Sequence, residues 1–273
     1  MRMNRPLDIR ELDEAEWKVY ESRIADLEQG MSYPLGEDRF EIDHGADYFA
    51  FFTRLGRLHY YVVLDENRVV AVVAAILRRI PPANCETPKA VWYLCDLKVH
   101  PEYRSRYLPV SISVYACPKL APLASHAYAI SMDADSKRQN PLARMLSRFP
   151  LTPMSIATRL GIVSLDAEQM RKVEPVLREH FGDLSYLSLA GKKDIILQST
   201  GAPMPLLHVQ FGPCAEQGFT EPLEGYVHMF CVSIDHPLLE VLRHQGVYPS
   251  ATATVVHHRM EKWDWEFILT SDI

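Results

Sequence analysis

Several features that would classify a chain quickly are missing from this one. No run of about 18 apolar residues occurs, so the sequence does not ask for a membrane-spanning helix. Met1 to Arg10 carries charges but no apolar core segment, so no secretory leader is expected. The five cysteines, Cys85, Cys95, Cys117, Cys214 and Cys231, are scattered, odd in number and never in a C-x-x-C pair. That argues against a disulfide framework and for reduced thiols in a cytoplasmic setting. Positive charge is not in excess, because 29 Lys and Arg stand against 35 Asp and Glu for a net −6. Nucleic acid is therefore not an expected partner. Walker loops, Gly-x-Ser-x-Gly elbows and His-Glu-x-x-His motifs are all absent. His228 with Cys231, and His257 with His258, sit on strand-like runs where such spacing sends side chains to opposite faces, so no metal site is expected.

What is present is an ordinary globular composition. The 273 residues are 48% hydrophobic and 23% charged, enough for a packed core and room for two small domains. A short strand is expected over 7–10. A helix follows, opened by Asp13 and Glu16 as an approximate capping box and carrying Trp17, Tyr20, Ile24 and Leu27 at helical spacing. An aromatic-sided helix is expected over 46–55. Two Val- and Tyr-rich runs, 58–64 and 69–77, joined by Asp65-Glu66-Asn67-Arg68, read as a hairpin. A strand over 91–99, a helix over 107–117 with Pro109 in its first turn, a strand over 128–132 and a helix over 141–148 come next. Beyond residue 165 the pattern predicts a helix over 167–181 despite Pro175, and strands over 184–189, 195–198, 226–234, 251–258 and 265–270. A helix is expected over 237–244, and loops through the Pro- and Gly-rich stretch 201–224. There is no internal sequence repeat. This order alone reads only as α/β or α+β.

Residues 99 to 109, Val-His-Pro-Glu-Tyr-Arg-Ser-Arg-Tyr-Leu-Pro, follow an apolar strand and precede a helix. A basic turn in that position can offer main-chain amides and guanidinium groups to a phosphate. The run resembles the acetyl-CoA loop of the GCN5-related N-acetyltransferase (GNAT) family, whose usual form is strand, Val-x-Pro-x-Tyr-Arg and a glycine-rich turn. Tyr107 and Pro109 replace residues that are small in the family pattern, adding bulk and removing one N–H donor. A second similarity begins at Asn140, where Asn140, Ala143 and Leu146 match Asn-x-x-Ala-x-x-Leu-Tyr and Ser147 stands in the tyrosine position.

The resemblance implies a GNAT-like mixed sheet, flanked by helices and splayed between its fourth and fifth strands. That domain would span residues 1–165, with a further α+β region over 166–273. It implies an acyl-CoA-dependent N-acyltransferase, most simply an acetyltransferase using acetyl-CoA, in which a small-molecule or protein amine attacks the thioester directly; a homodimer is compatible with it. Leu97 and Val99 would offer main-chain groups to pantetheine. Arg104, Ser105, Arg106 and Tyr107 would meet the pyrophosphate, and Asn140 falls in the second cofactor motif. Asp96 would be the general base, its pKa raised by burial. Tyr128, or Tyr115, would replace the missing tyrosine as acid to the thiolate. Two other readings are compatible with the same residues: a GNAT-fold interaction module without catalysis, whose turn is blocked by Tyr107, and a transferase that takes its acyl group from a carrier protein.

Overall fold

The computed structural model describes residues 7–80, 87–134, 140–149, 151–212, 215 and 217–273. Cys85 and Cys214 lie outside them. Strand β1 (Asp8–Leu12) leads into helix α1 (Glu14–Glu28). The helix starts where the Asp13 amide donates to Glu16 Oε2 at 3.0 Å, and it buries Tyr20, Ile24 and Leu27 on one side. Strands β2 (Tyr33–Leu35) and β3 (Asp38–Asp43) and the short helix α2 (Ala50–Leu55) follow. Then come the long strands β4 (Arg57–Asp65), β5 (Arg68–Ile80) and β6 (Lys89–Val99). A 3₁₀ turn, Pro101–Arg106, joins β6 to helix α3 (Leu108–Leu120), which is followed by β7 (Ala127–Met132), α4 (Pro141–Leu146) and β8 (Ser155–Leu165). The remainder comprises α5 (Ala167–Phe181), β9 (Leu184–Leu187), β10 (Asp194–Leu197), β11 (Leu206–Phe211), β12 (Val227–Ser233), α6 (Pro237–His244) and β13 (Ala251–His258).

One ten-stranded sheet runs through the molecule in the order β1-β4-β5-β6-β7-β13-β8-β12-β11-β9. A small second sheet pairs β10, β3 and β2. One face of the large sheet packs on α1 and α2 through Ile24, Phe52, Tyr60 and Ile76, and this core continues to Met229 and Ala253. The opposite face is covered at one end by α3 and α4 and at the other by α5 and α6. No helix among the described residues is long and apolar enough to cross a membrane.

The centre of the sheet has a twofold pattern that the sequence does not show. From β7 the order is β7-β13-β8, and from β12 it is β12-β8-β13. The connections match as well, because β7 passes through α4 to β8 and β12 passes through α6 to β13. Each half sends its last strand across to sit beside the other half's parallel pair. The parallel pairs are also alike: β6 with β7, and β11 with β12, each register at only three residue positions. The sheet is thus continuous across residue 165.

Three expectations are corrected. Strand β11 lies inside the stretch read as loops, and β2, β3 and β8 were not expected at all. Residues 265–270 are not a strand: the segment turns and ends in a 3₁₀ turn, Thr270–Asp272. Its polar groups bond to side chains instead of joining a ladder. Gln210 Nε2 donates to Ser271 Oγ at 2.7 Å, and the buried Asp272 carboxylate pairs with Arg78 at 3.0 Å.

Candidate active site

The β6–β7 pair is joined only at Trp92↔Ala127, Tyr93↔Tyr128 and Leu94↔Ala129. Past Leu94 the strands diverge and leave an opening. On the other side of β6, pairing with β5 continues but slips, from Ala74↔Cys95 to Val72↔Lys98. Asp96 and Leu97 therefore face the single residue Val73, which is a β-bulge. Asp96 absorbs the kink with φ 54°, a left-handed conformation that aspartate tolerates better than most residues.

The bulge decides which main-chain groups point into the opening. Trp92 N–H donates to His126 O on the β7 side at 2.9 Å, so even-numbered residues face β7 before the bulge. One extra residue reverses the alternation, and His100 N–H donates to Val70 O on the β5 side at 2.9 Å. Leu97 and Val99 consequently turn their N–H and C=O groups toward the opening, with no strand partner. The bulge also puts Cys95, Asp96 and Lys98 together on the α1/α2 face.

On that face lies a buried charged cluster. Asp96 Oδ2 accepts from Tyr48 at 2.8 Å and from Tyr60 at 2.6 Å, and Oδ1 accepts from Lys98 Nζ. Lys98 also reaches Glu28 Oε1 of α1 at 2.8 Å, and His44 Nε2 lies 3.6 Å from Glu28 Oε2. Burial pushes the Asp96 carboxyl up, but Lys98, His44 and the bond from Tyr60 outweigh it and hold it below its ordinary value. Burial likewise works against the Lys98 ammonium, and Asp96 and Glu28 overcome it and raise the lysine. Asp96 is thus not the poised base expected from burial alone: its carboxylate is fully engaged and held ionised.

Tyr128 is also corrected. Its side chain is fully buried, stacked on Tyr93 at 4.8 Å, and its oxygen accepts from Arg78 Nη1 at 2.7 Å. Burial raises the phenol, which makes it a poor acid, and it does not line the cavity at the opening. Asn140 acts as the N-cap of α4. Its Oδ1 accepts from Leu142 N–H at 2.9 Å, and its Nδ2 donates to Met132 O at 3.2 Å and Asp133 Oδ1 at 3.0 Å. It ties the end of β7 to α4 and leaves no group for a ligand. Ser147 Oγ donates to Arg144 O at 2.9 Å, closing the same helix.

The basic turn sits where expected. Tyr103 anchors it from below by donating to Asp65, while Arg104 and Ser105 are exposed. The Arg106 guanidinium lies 5.7 Å from the Tyr103 ring centroid. Tyr107 links the turn to α3 in the left-handed conformation, φ 53° and ψ 33°. Its side chain is 76% exposed, so it stands in solvent and does not block the turn.

A cavity of about 500 Å³ joins the two faces through the opening. Sequence reasoning missed two of its titratable walls, because both come from the second half. Lys193 donates to Ile273 O and lies 4.2 Å from the centre of the Phe51 ring. Burial lowers its ammonium to about 8. His208 is held neutral, lowered to about 3 by burial and by the nearby Lys193 and Arg54. Thr270 Oγ1 spends its proton on Met229 O at 2.9 Å. The 3.0 Å contact to His208 Nδ1 therefore needs the proton on Nδ1, leaving Nε2 as an acceptor. Nothing in the local sequence marks Lys193, since its burial comes from packing across the two halves.

A solved structure matches the overall architecture of this chain. A tandem GNAT protein from the clavulanic acid biosynthesis pathway superposes with a TM-score of 0.53 at 14% identity, over 95% of this chain and 100% of that one. The chain has the GNAT fold. Because the superposition spans both chains, the GNAT layout extends beyond the region that the sequence motifs cover. A further similar protein, uncharacterised, is from Acanthamoeba polyphaga mimivirus, 24% identical over 233 residues that make up 83% of this chain and 68% of that one. No family model matches. The opening and the basic turn that the sequence resemblance implied are present, whereas the glycine turn and the tyrosine of the family pattern are not.

Proposed function

We propose that this chain is an N-acyltransferase that takes its acyl group from an acyl-CoA thioester and delivers it to an amine by direct attack, the C–S bond breaking as the C–N bond forms and CoA leaving as a thiolate that solvent protonates. The observation that carries the reading is the unpaired edge of β6, where Leu97 and Val99 leave main-chain groups facing the opening. Such an edge suits the amide-bearing pantetheine arm, in the manner of an added strand. Arg104 and Arg106 supply guanidinium forks for the pyrophosphate. They stand in for the main-chain amides that a glycine turn would offer, one of which Pro109 removes.

A bound thioester supplies a carbonyl carbon open to attack. The remaining chemistry belongs to the chain. An acceptor ammonium must lose a proton before it can act as a nucleophile. Lys193 is suited to take it: at about 8, its neutral form is present near physiological pH. His208 Nε2 is an acceptor that can orient the amine. Asp96 and Lys98 are positioning residues that hold the bulge and, through it, the main-chain groups of Leu97 and Val99.

Calorimetric titration with acetyl-CoA and longer acyl-CoAs tests donor binding; absence of heat or thermal shift with every one of them at millimolar concentration ends the proposal. The base is tested by the pH–rate profile. The neutral fraction of a lysine near 8 grows as pH rises through that value, so the rate should climb through pH 8 and level off, and Lys193→Met should remove the climb. An unchanged profile in that variant takes the role away from Lys193.

A further inference from the structure

We propose that the apolar space beneath α3 is an acyl-chain channel, so that the preferred donors carry medium or long hydrocarbon chains instead of acetyl. This inference rests on the acyl-CoA reading above. Residues Pro109, Ile112, Ser113, Ala116, Cys117 and Leu120 of α3 line the cavity. Their spacing of three and four makes them a single helical stripe running almost the whole helix. At the rise of an α-helix, Pro109 to Leu120 spans about 16 Å, length for the end of the pantetheine arm and an acyl chain in series.

The opposite wall is formed by Trp92 and Leu94 of β6 and Ala127 and Ala129 of β7, whose side chains point to the α3 face. Ser113, Cys117 and Trp92 carry the polar side-chain atoms of the two walls, and the Trp92 indole N–H is spent on Leu120 O at 3.2 Å. Of the ionic groups that line the cavity, Asp96, Lys98 and Lys193 belong to the other face of the sheet, and Arg259 follows the end of β13. Protein interiors rarely leave voids much larger than a water molecule. Here the space survives because alanine stands at 116, 127 and 129, where larger side chains would close it. An apolar void is costly when empty, and a hydrocarbon chain fits its chemistry.

Orientation follows from the basic turn. Arg104 and Arg106 lie just before Pro109, at the N-terminal end of α3, so the nucleotide end of a donor belongs there. The Leu94-to-Leu120 end then lies on the far side of the thioester and receives the acyl group. An acetyl group would leave nearly all of it vacant.

The test is binding of the full-length protein to acetyl-, hexanoyl-, octanoyl- and dodecanoyl-CoA, followed by calorimetry. Each methylene dried by the channel tightens binding by up to about fourfold. The expected gain from acetyl to octanoyl is therefore more than about tenfold after allowance for chain ordering. Ala116→Phe should abolish that gain, and Ala129→Phe provides a second block should the first fail to fold. Acetyl-CoA binding as tightly as octanoyl-CoA would overturn the channel while leaving the transferase reading intact. A length preference that survives both blocks also overturns it. No binding by any of the four removes both readings together.

Discussion

Replacing Lys98 with methionine tests whether the charged cluster behind β6 is structural. Methionine keeps most of the volume and removes the charge. The Lys98 side chain is 4% exposed, and it joins Asp96 at 5% to Glu28 at 11%. Without it, two buried carboxylates lose the cation they share. Removing one partner of a buried pair costs about 3–5 kcal/mol, a large part of the roughly 5–15 kcal/mol that holds a domain together. For a chain of this size that is a fall in melting temperature on the order of 10 °C. Circular dichroism melts measure it directly.

The pH dependence gives the sign. In the wild type, Asp96 is held below its ordinary value, so its contribution is present above the unfolded pKa of about 3.9 and is lost as pH falls through the lower folded value. Burial is the largest influence on Asp96 and acts upward; with Lys98 gone it dominates. Lys98→Met should therefore gain stability as pH falls from 7 toward 5, a window over which the wild-type contribution of Asp96 is unchanged. Adding Asp96→Asn and Glu28→Gln removes the stranded charges and should recover most of the loss, since asparagine also tolerates the left-handed backbone at 96. A single-variant loss under about 1 kcal/mol, or a triple variant no better than the single, would refute the reasoning.

Three further outcomes follow from the same coordinates. Tyr107→Gly relieves a left-handed backbone while giving up an exposed side chain, and should stabilise by about 1 kcal/mol in a denaturant melt; a lower midpoint contradicts the strain. Arg104→Ala with Arg106→Ala should weaken acyl-CoA binding by about tenfold or more, and wild-type affinity should fall with added salt; a salt-insensitive affinity shared by wild type and double variant removes the turn from the donor site. A fragment ending at residue 165 lacks β13, leaving β7 and β8 without the strand between them, and should not give a cooperative melt; a sharp transition would show that the first half is a self-sufficient domain.

The sequence made the first half legible because its signals are local. The Asp13 and Glu16 cap, the Asp65–Arg68 turn and the basic loop at 100–107 each depend on neighbours in the chain, and each fell where expected. Leu97, Val99 and the arginine turn could be placed for the same reason. The errors concern side chains whose environment is built from afar. Burial of Asp96 was foreseeable from its apolar neighbours, and Lys98, two residues on, shares its face by ordinary strand alternation; what has no local signature is the bulge that turns both onto the α1/α2 face beside Cys95. Tyr128 reads as a candidate acid to the thiolate until Arg78, 50 positions earlier, is seen to hold its oxygen. Lys193 and His208 had no local signature at all. The strand β11 was hidden by the prolines and glycines around it, and the end of the chain was read as a strand because its aromatics resemble one.

The twofold strand order raises the question of whether the second opening serves a donor as well. Strands β11 and β12 separate after His208 and Met229, as β6 and β7 do after Leu94 and Ala129. The two openings differ in what covers them. Across the second, Thr270 bonds to Met229 O and His208, Ser271 to Gln210, and the Cys231 thiol donates to Ile268 O at 3.4 Å. The chain itself thus occupies the face of the second opening that continues into the α1/α2 core. The first opening has no such covering segment among the described residues. That asymmetry explains why residues of the second half, Lys193, His208 and Thr270, line the first half's cavity: the segment that closes one opening builds a wall of the other. The second half is then the part that builds one wall of a single cavity, and its interlocked strand fixes that wall against β7.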